Sequence, residues 1–124
     1  MTNSRSRVLL VEDEAMLAML VKDLLHDLGC EDVVTAGRLD QAMEAARSAA
    51  VDVAILDVNL AGMLTYPVAA VLRERGIPFI FVTGYAAGGL TPEYAGYPTL
   101  QKPFRRGDLG AALERALAGR ASLN

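Results

Sequence analysis

Polar side chains of catalytic type stand at the ends of apolar runs in this sequence. The runs and the side chains that follow them are residues 8–11 before Glu12 and Asp13, residues 53–56 before Asp57, residues 77–82 before Thr83, and residues 100–101 before Lys102. Continuous apolar runs are typical of strands in a parallel sheet, which is covered on both faces. Ligands of such sheets bind beyond the carboxyl ends of the strands. We therefore expect three carboxylates, a hydroxyl and an amine to meet at one edge of a sheet.

These side-chain types, brought together, predict phosphoryl chemistry. Neighbouring carboxylates repel one another unless a cation neutralises them, and an all-oxygen ligand set favours Mg²⁺, which also binds phosphate oxygens. Asp57 is the candidate nucleophile, because carboxylates form acyl phosphates in covalent catalysis. Thr83 and Lys102 would supply a donor and a positive charge to the phosphoryl oxygens. Lys102 also precedes Pro103, the setting in which cis peptide bonds occur.

Alternating strand and helix patterns position these residues. Strands are predicted at residues 7–11, 32–35, 53–57, 77–82 and 99–101. Apolar side chains recur at helical spacing in residues 14–28, 39–50, 66–75 and 108–118. Strands that alternate with helices indicate βαβ units and a parallel sheet. We therefore predict a single α/β domain over residues 1–124.

The helical spacing also predicts which side chains face the core. In the first helix they are Leu17, Leu20, Val21, Leu24 and Leu28. In the second helix they are Leu39, Ala42, Met43, Ala46 and Ala50. Gly29 follows the first helix where a C-cap glycine belongs.

Residues 84–98 interrupt the alternation where a fourth helix would lie. The stretch GYAAGGLTPEYAGYP contains four glycines and two prolines. An interior glycine costs a helix about 1 kcal/mol relative to alanine, and a proline about 3 kcal/mol. We expect an irregular segment with a single turn at residues 92–94, and we expect it to be the most mobile part of the domain.

The composition excludes several classes of protein. A chain of 124 residues is about one domain, and a net charge of −3 without a basic run argues against direct nucleic-acid binding. Neither a signal-peptide apolar region nor a membrane-spanning run is found. Cys30 is the sole cysteine, which excludes an internal disulfide. A cytoplasmic protein without membrane contact is expected.

Four motifs in this order and spacing resemble a known family. VLLVEDE, ILDVN, FVTGY and LQKPF together resemble the receiver domain of bacterial two-component response regulators, over about residues 6–119. The resemblance implies a flavodoxin-like, doubly wound, five-stranded parallel sheet with strand order 2-1-3-4-5. It implies a signalling module that catalyses only its own phosphorylation and dephosphorylation.

The resemblance also implies roles for individual residues. Asp57 would be the phosphoacceptor and would bind Mg²⁺ together with Glu12, Asp13 and Asn59. Asp13 would ligate the metal directly, Glu12 through water, and Asn59 through its backbone carbonyl. Thr83 and Lys102 would contact the phosphoryl group.

One motif points to a subgroup and to partners. FVTGY resembles the FATGUY receivers, which have an irregular helix-4 region and are typically served by histidine kinases of the HWE or HisKA2 class. The donor would be such a kinase or a histidine phosphotransferase. Receivers typically carry Tyr or Phe where this sequence has Thr99, and Tyr85, Tyr94 and Tyr97 are candidates to replace that switch. We expect a stand-alone receiver, monomeric or weakly dimeric, that signals by protein–protein contact.

Two other functions share part of this residue set. A haloacid-dehalogenase-type phosphatase also uses an aspartyl nucleophile, but it needs an Asp-x-Asp motif after its first strand, and here Asp57 follows the third. A receiver-fold interaction module that is not phosphorylated would be favoured by loss of Asp57 or Lys102, and both are present.

Overall fold

The computed structural model describes residues 6–84 and 90–122. The strands are β1 Arg7–Val11, β2 Asp32–Ala36, β3 Val53–Asp57, β4 Asn59–Leu60, β5 Met63–Leu64, β6 Phe79–Thr83 and β7 Thr99–Gln101. The α-helices are α1 Ala15–Asp27, α2 Leu39–Ser48, α3 Tyr66–Glu74 and α4 Arg106–Ser122, and a 3₁₀ turn covers Pro92–Tyr94. No helix among these residues is long and apolar enough to span a membrane.

The main sheet is parallel, with the order β2-β1-β3-β6-β7. Because β4 and β5 form a separate hairpin, this is the order 2-1-3-4-5 of the principal strands, and the predicted flavodoxin-like fold is confirmed. All residues of β3 and β6 are buried, as expected of central strands covered on both faces. The register pairs Asp57 with Val82, so the last residues of β3 and β6 lie at the same edge.

Alternate residues of each strand pack into two separate cores. Leu9, Leu56 and Phe81 belong to the core under α2 and α3. Leu10 and Ile55 belong to the core under α1 and α4. This period of two is the pleat of a strand, and it explains why strands with continuous apolar sequences hold helices on both faces.

Two predicted core positions are wrong. Leu20 is 54% exposed and borders an open cavity together with Phe104. Leu25, which was not predicted to face the core, is fully buried. Ala50 is exposed because α2 already ends at Ser48. The glycine prediction is confirmed, since Gly29 has a φ of 94° at the end of α1.

The hairpin of β4 and β5 was not predicted. Asn59 pairs with Leu64, and Leu60 pairs with Met63. The two central residues, Ala61 and Gly62, have φ values of 53° and 88°. Positive φ at both central positions is the signature of the tightest hairpin turn. In the sequence only Gly62 indicates this turn, since Ala61 adopts a positive φ that alanine seldom takes.

Residues 90–98 are irregular, and the predicted single turn at Pro92–Tyr94 is confirmed. The segment is attached to α3. Tyr66 stacks on Tyr94 at 5.4 Å between ring centroids and accepts a hydrogen bond from the Thr91 amide at 3.2 Å, while Arg73 pairs with Glu93 at 2.7 Å. Residues 85–89, including Tyr85, lie outside the described residues, and the predicted mobility of the segment stays a prediction.

Candidate functional site

The polar side chains singled out in the sequence converge at the carboxyl edge of the sheet. Asp57 and Thr83 are the last residues of β3 and β6. Glu12 directly follows β1, and Lys102 directly follows β7. Parallel strands in register bring their carboxyl ends to one edge, which is why residues so far apart in sequence meet there.

Lys102 joins two of the carboxylates. Its Nζ donates to Oδ2 of Asp57 at 3.0 Å and lies 3.3 Å from Oε1 of Glu12. Both carboxylates are buried, while a quarter of the lysine side chain is exposed. Charge-assisted hydrogen bonds in a shielded place are among the stronger polar contacts in proteins. The lysine thus neutralises part of the negative charge that the sequence places at this edge.

The pKa values of Glu12 and Lys102 are both raised, but for different reasons. Burial raises the pKa of Glu12 above its ordinary value, and the charge of Asp57 raises it further against the opposing effects of the Glu14 amide and Lys102. Burial alone would lower the pKa of Lys102, but its hydrogen bond to Asp57 and the charges of both acids outweigh that effect and raise it. Three carboxyl groups thus surround one ammonium group, a balance of charges that suits a further cation.

An acidic cluster gives that cation a place to bind. Carboxylate oxygens of Glu12, Asp13 and Asp57 all lie within 4.8 Å of one another, with Asp13 exposed and the other two buried. Oε2 of Glu12 also accepts the Glu14 amide at 3.1 Å, which orients its carboxylate. An oxygen-only set of this kind fits Mg²⁺, which uses few carboxylates and keeps several waters.

Thr83 and Lys102 are linked through the backbone. The amide of Lys102 donates to the carbonyl of Thr83 at 2.9 Å, and the side chain of Thr83 is buried. The Lys102–Pro103 peptide bond is cis, as the sequence indicated. This backbone hydrogen bond holds the end of β6 next to Lys102 at the edge of the sheet.

Asn59 begins the hairpin next to Asp57. Its side-chain Oδ1 accepts the Gly62 amide at 2.8 Å and so closes the turn. Its own amide lies 3.4 Å from Oδ1 of Asp57, which is a long contact. Asn59 as a whole is exposed, and it follows Asp57 by two residues.

Thr65 is a residue of the site that the sequence reasoning missed. It directly precedes α3, where a threonine is ordinarily an N-cap, but its side chain makes no capping bond. Instead, Oγ1 donates to the carbonyl of Asp57 at 2.7 Å, and the residue is fully buried. The only sequence signal is a threonine placed directly before the Tyr66-Pro67 helix start.

A largely apolar cavity of about 280 Å³ opens beside the acidic cluster. Asp57 and Lys102 lie at one end, and Leu20 of α1 and Phe104 lie along its walls. On the same helix Met16 and Met19 are 84% and 67% exposed. Helix α1 thus carries several exposed apolar side chains, of which Leu20 lines the cavity.

Comparisons with known proteins agree with this geometry. The DNA-binding response regulator MtrA of Mycobacterium tuberculosis is 36% identical over 84 residues, which cover 67% of this chain and 36% of MtrA. The chain spans from about a third to a little over half of the length of the curated relatives it matches.

Solved structures extend the likeness to nearly the whole chain. SdrG from Sphingomonas melonis is 35% identical with a TM-score of 0.77, covering 95% of this chain and 98% of SdrG. The receiver domain of a sensor histidine kinase from Pseudomonas aeruginosa, solved with a magnesium ion coordinated in its active-site cleft, is 28% identical with a TM-score of 0.79, covering 91% of this chain and 98% of that domain. The model of the response regulator receiver domain matches residues 8–114. This chain belongs to the family of response regulator receiver domains.

Proposed function

We propose that this receiver domain accepts a phosphoryl group on Asp57 in a two-component phosphorelay. The observation that carries the proposal is the contact between Asp57 Oδ2 and Lys102 Nζ at 3.0 Å, made inside the carboxylate cluster of Glu12, Asp13 and Asp57. A buried carboxylate, a cluster of carboxylate oxygens and a positively charged side chain lie together at one edge of the sheet, which supports these roles. Phosphoryl transfer requires this combination of nucleophile and charge stabilisation.

In the transfer, a lone pair on one carboxylate oxygen of Asp57 forms the new bond to phosphorus. As this bond forms, the P–N bond of a phosphohistidine breaks, and the bonding electrons leave with the imidazole. The imidazole leaves neutral when its other ring nitrogen carries a proton; without that proton it leaves as imidazolate and takes one from solvent. Lys102 and Thr83 would hold the phosphoryl oxygens on which negative charge remains. The buried setting of Asp57 keeps bulk water from most of its surface.

Mg²⁺ is the cation that we assign to this site. Glu12, Asp13 and Asp57 would hold it, with the backbone carbonyl of Asn59 as a further ligand. When bound, it neutralises phosphoryl oxygens during transfer. The cluster of carboxylate oxygens from Glu12, Asp13 and Asp57 supports this assignment.

A histidine kinase or a histidine phosphotransferase is the proposed donor. Leu20 of α1 lines the cavity that reaches Asp57, and Met16 and Met19 of the same helix are also exposed; exposed apolar side chains near the site suit a protein partner. We assign the kinase to the HWE or HisKA2 class and the domain to the FATGUY receivers. The irregular segment at residues 90–98 supports that assignment.

Two alternatives are less well supported. A receiver fold that acts only as an interaction module has no need of the Lys102 contact to Asp57, and here it is present. A haloacid-dehalogenase-type phosphatase would place its nucleophile after β1, whereas Asp57 ends β3.

Mass spectrometry of the intact protein tests the proposal. After incubation with acetyl phosphate and Mg²⁺, the wild type should gain one phosphate, and the Asp57→Asn variant should gain none. The Asp23→Asn variant, altered at an exposed position of α1, is the matched control and should behave like the wild type. A phosphate retained in Asp57→Asn, or gained in excess EDTA, would overturn the proposal.

A further inference from the structure

We propose that Thr65 is a positioning residue that sets the geometry of the Asp57 and Asn59 site through a hydrogen bond from its buried hydroxyl to the Asp57 carbonyl. This inference rests on the proposed function, because it concerns metal binding and phosphoryl acceptance at the same site. It adds a residue from outside the four sequence motifs, one that contacts the acidic cluster through the backbone of Asp57.

The contact is short, and the side chain is completely buried. Oγ1 of Thr65 lies 2.7 Å from the carbonyl oxygen of Asp57 and 3.4 Å from that of Val58, and Thr65 is 0% exposed. A hydroxyl has a single proton to donate, and the shorter distance assigns it to Asp57. Water does not reach this bond, so no solvent molecule replaces it when the hydroxyl is removed.

Backbone bonds make Thr65 a junction between three elements. Its amide donates to the carbonyl of Val58 at 3.0 Å, and its carbonyl accepts the amides of Val68 and Ala69 at 2.9 and 3.1 Å. Thr65 thus attaches the end of β3 to the first turn of α3. The backbone alone would provide this attachment, whereas the hydroxyl bond to Asp57 depends on the residue type.

The junction closes the base of the β4–β5 hairpin. Residues 57 and 58 enter the hairpin and Thr65 leaves it, so the bond from the hydroxyl spans the whole loop that carries Asn59. Val58 also donates to the carbonyl of Val82 at 2.9 Å, which ties this backbone to β6. Between these two bonds the Asp57–Val58 peptide has a defined plane. That plane sets both the direction of the Asp57 side chain and the position of the Asn59 backbone.

Removal of the Thr65 hydroxyl should weaken metal binding, because a metal site needs its ligands in a precise geometry. Ligands must be held to within about 0.5 Å of their productive geometry, and loss of a residue that orients a ligand typically costs about tenfold to a hundredfold in metal affinity. Removing the hydroxyl leaves the Asp57 carbonyl buried without that donor. The Asp57–Val58 peptide then keeps its bond from the Val58 amide to Val82 but loses the bond that held its carbonyl. Its plane is less well defined, and the metal-binding oxygens are held less precisely.

The experiment compares Thr65→Val, which keeps the shape but removes the hydroxyl, with Thr65→Ser, which keeps the hydroxyl. Mg²⁺ affinity is measured by calorimetry on the metal-free protein, and the rate of phosphorylation by acetyl phosphate is measured at saturating Mg²⁺. Both are recorded at a temperature where circular dichroism shows every variant folded. We expect Mg²⁺ affinity to fall about tenfold in Thr65→Val and to recover in Thr65→Ser.

Val68→Ala provides the matched control for lost stability. Val68 is fully buried in α3 near the same junction, and its truncation destabilises the core without touching the hydroxyl bond. It should lower the urea midpoint and leave Mg²⁺ affinity unchanged. If Thr65→Val fails to fold, Thr65→Ala and Thr65→Ser are compared instead, since these two differ by one oxygen atom.

The outcomes separate this inference from the proposed function. Wild-type protein that neither binds Mg²⁺ nor gains phosphate would refute the proposed function. Wild-type protein that does both, with Thr65→Val equal to it in Mg²⁺ affinity, would refute the role of Thr65 alone. An equal loss of affinity in Val68→Ala would also refute it, because general destabilisation would then explain the effect.

Discussion

The ammonium group of Lys102 lies 3.0 Å from Oδ2 of Asp57, although 45 residues separate the two in sequence. The same nitrogen lies 3.3 Å from Glu12, so one lysine serves two buried carboxylates. In the metal-free protein this lysine is therefore the cation of the site. A divalent metal and Lys102 would interact with the same carboxylates. We therefore expect each cation to weaken the binding of the other to those carboxylates.

Removing the lysine charge should tighten Mg²⁺ binding. Two like unit charges about 4 Å apart repel by about 1 kcal/mol in a water-like dielectric, and about 1.4 kcal/mol is tenfold in a dissociation constant. We therefore expect Lys102→Met to lower the Mg²⁺ dissociation constant by about threefold to tenfold. Lys102→Arg keeps the charge and is the control. Calorimetric titration measures both, and a weaker affinity in Lys102→Met would show that the lysine assists the metal rather than opposing it.

Asp13 should contribute more to Mg²⁺ affinity than Glu12. We assign Asp13 as a direct ligand and Glu12 as a ligand through water, so Asp13→Asn should cost on the order of tenfold or more and Glu12→Gln only a few fold. The same titration applies, with Asp23→Asn as the unchanged reference. Equal losses, or a larger loss for Glu12→Gln, would contradict the assignment.

The raised pKa of Glu12 predicts how stability depends on pH. Burial is the main cause, so the folded protein favours the protonated acid. Such a group contributes stability that is fully present below its unfolded pKa, near 4.5, and that is lost as the pH rises through the higher folded pKa. Glu12→Gln removes this loss. In metal-free protein its free energy of unfolding, relative to the wild type, should therefore increase between pH 4 and pH 7.

Urea denaturation at both pH values measures this change in the free energy of unfolding. The control is Glu114→Gln at an exposed position of α4, for which the difference from the wild type should stay constant. A constant difference for Glu12→Gln as well would mean that Lys102 fully compensates the buried charge.

Tyr94, rather than the surface ion pair beside it, should hold residues 91–97 against α3. Tyr94 is buried among Phe79, Phe81 and Tyr66, and truncating a buried aromatic ring costs about 3–5 kcal/mol. The pair of Arg73 and Glu93 is exposed on both sides, and such pairs contribute about 0.2–1 kcal/mol. Urea midpoints should therefore fall far more in Tyr94→Ala than in Arg73→Ala.

Hydrogen exchange completes this test. Amides of residues 91–97 should be protected in the unphosphorylated wild type and lose protection in Tyr94→Ala, but not in Arg73→Ala. Fast exchange of these amides in the wild type would show that the aromatic contacts do not restrain the segment, and would favour the predicted mobility over its whole length.

The sequence by itself determined the fold and the convergence of the site. Apolar runs such as Val53–Asp57 specify strands that are buried on both faces. The alternation of these strands with helices indicates βαβ units and therefore a parallel sheet. Glu12, Asp57, Thr83 and Lys102 then meet because parallel strands share a carboxyl edge. These inferences need only local pattern and the rule of strand polarity.

Tertiary structure decided what depends on contacts between distant residues. The contact between Thr65 and Asp57 could not be predicted, because a threonine directly before a helix resembles an N-cap. The hydroxyl reaches Asp57 only because the β4–β5 hairpin brings residue 65 back beside the end of β3. The exposure of Leu20 depends on where α1 extends beside Phe104, which helical spacing does not encode. Local sequence thus specifies which elements form, while the positions of single side chains follow from how those elements pack.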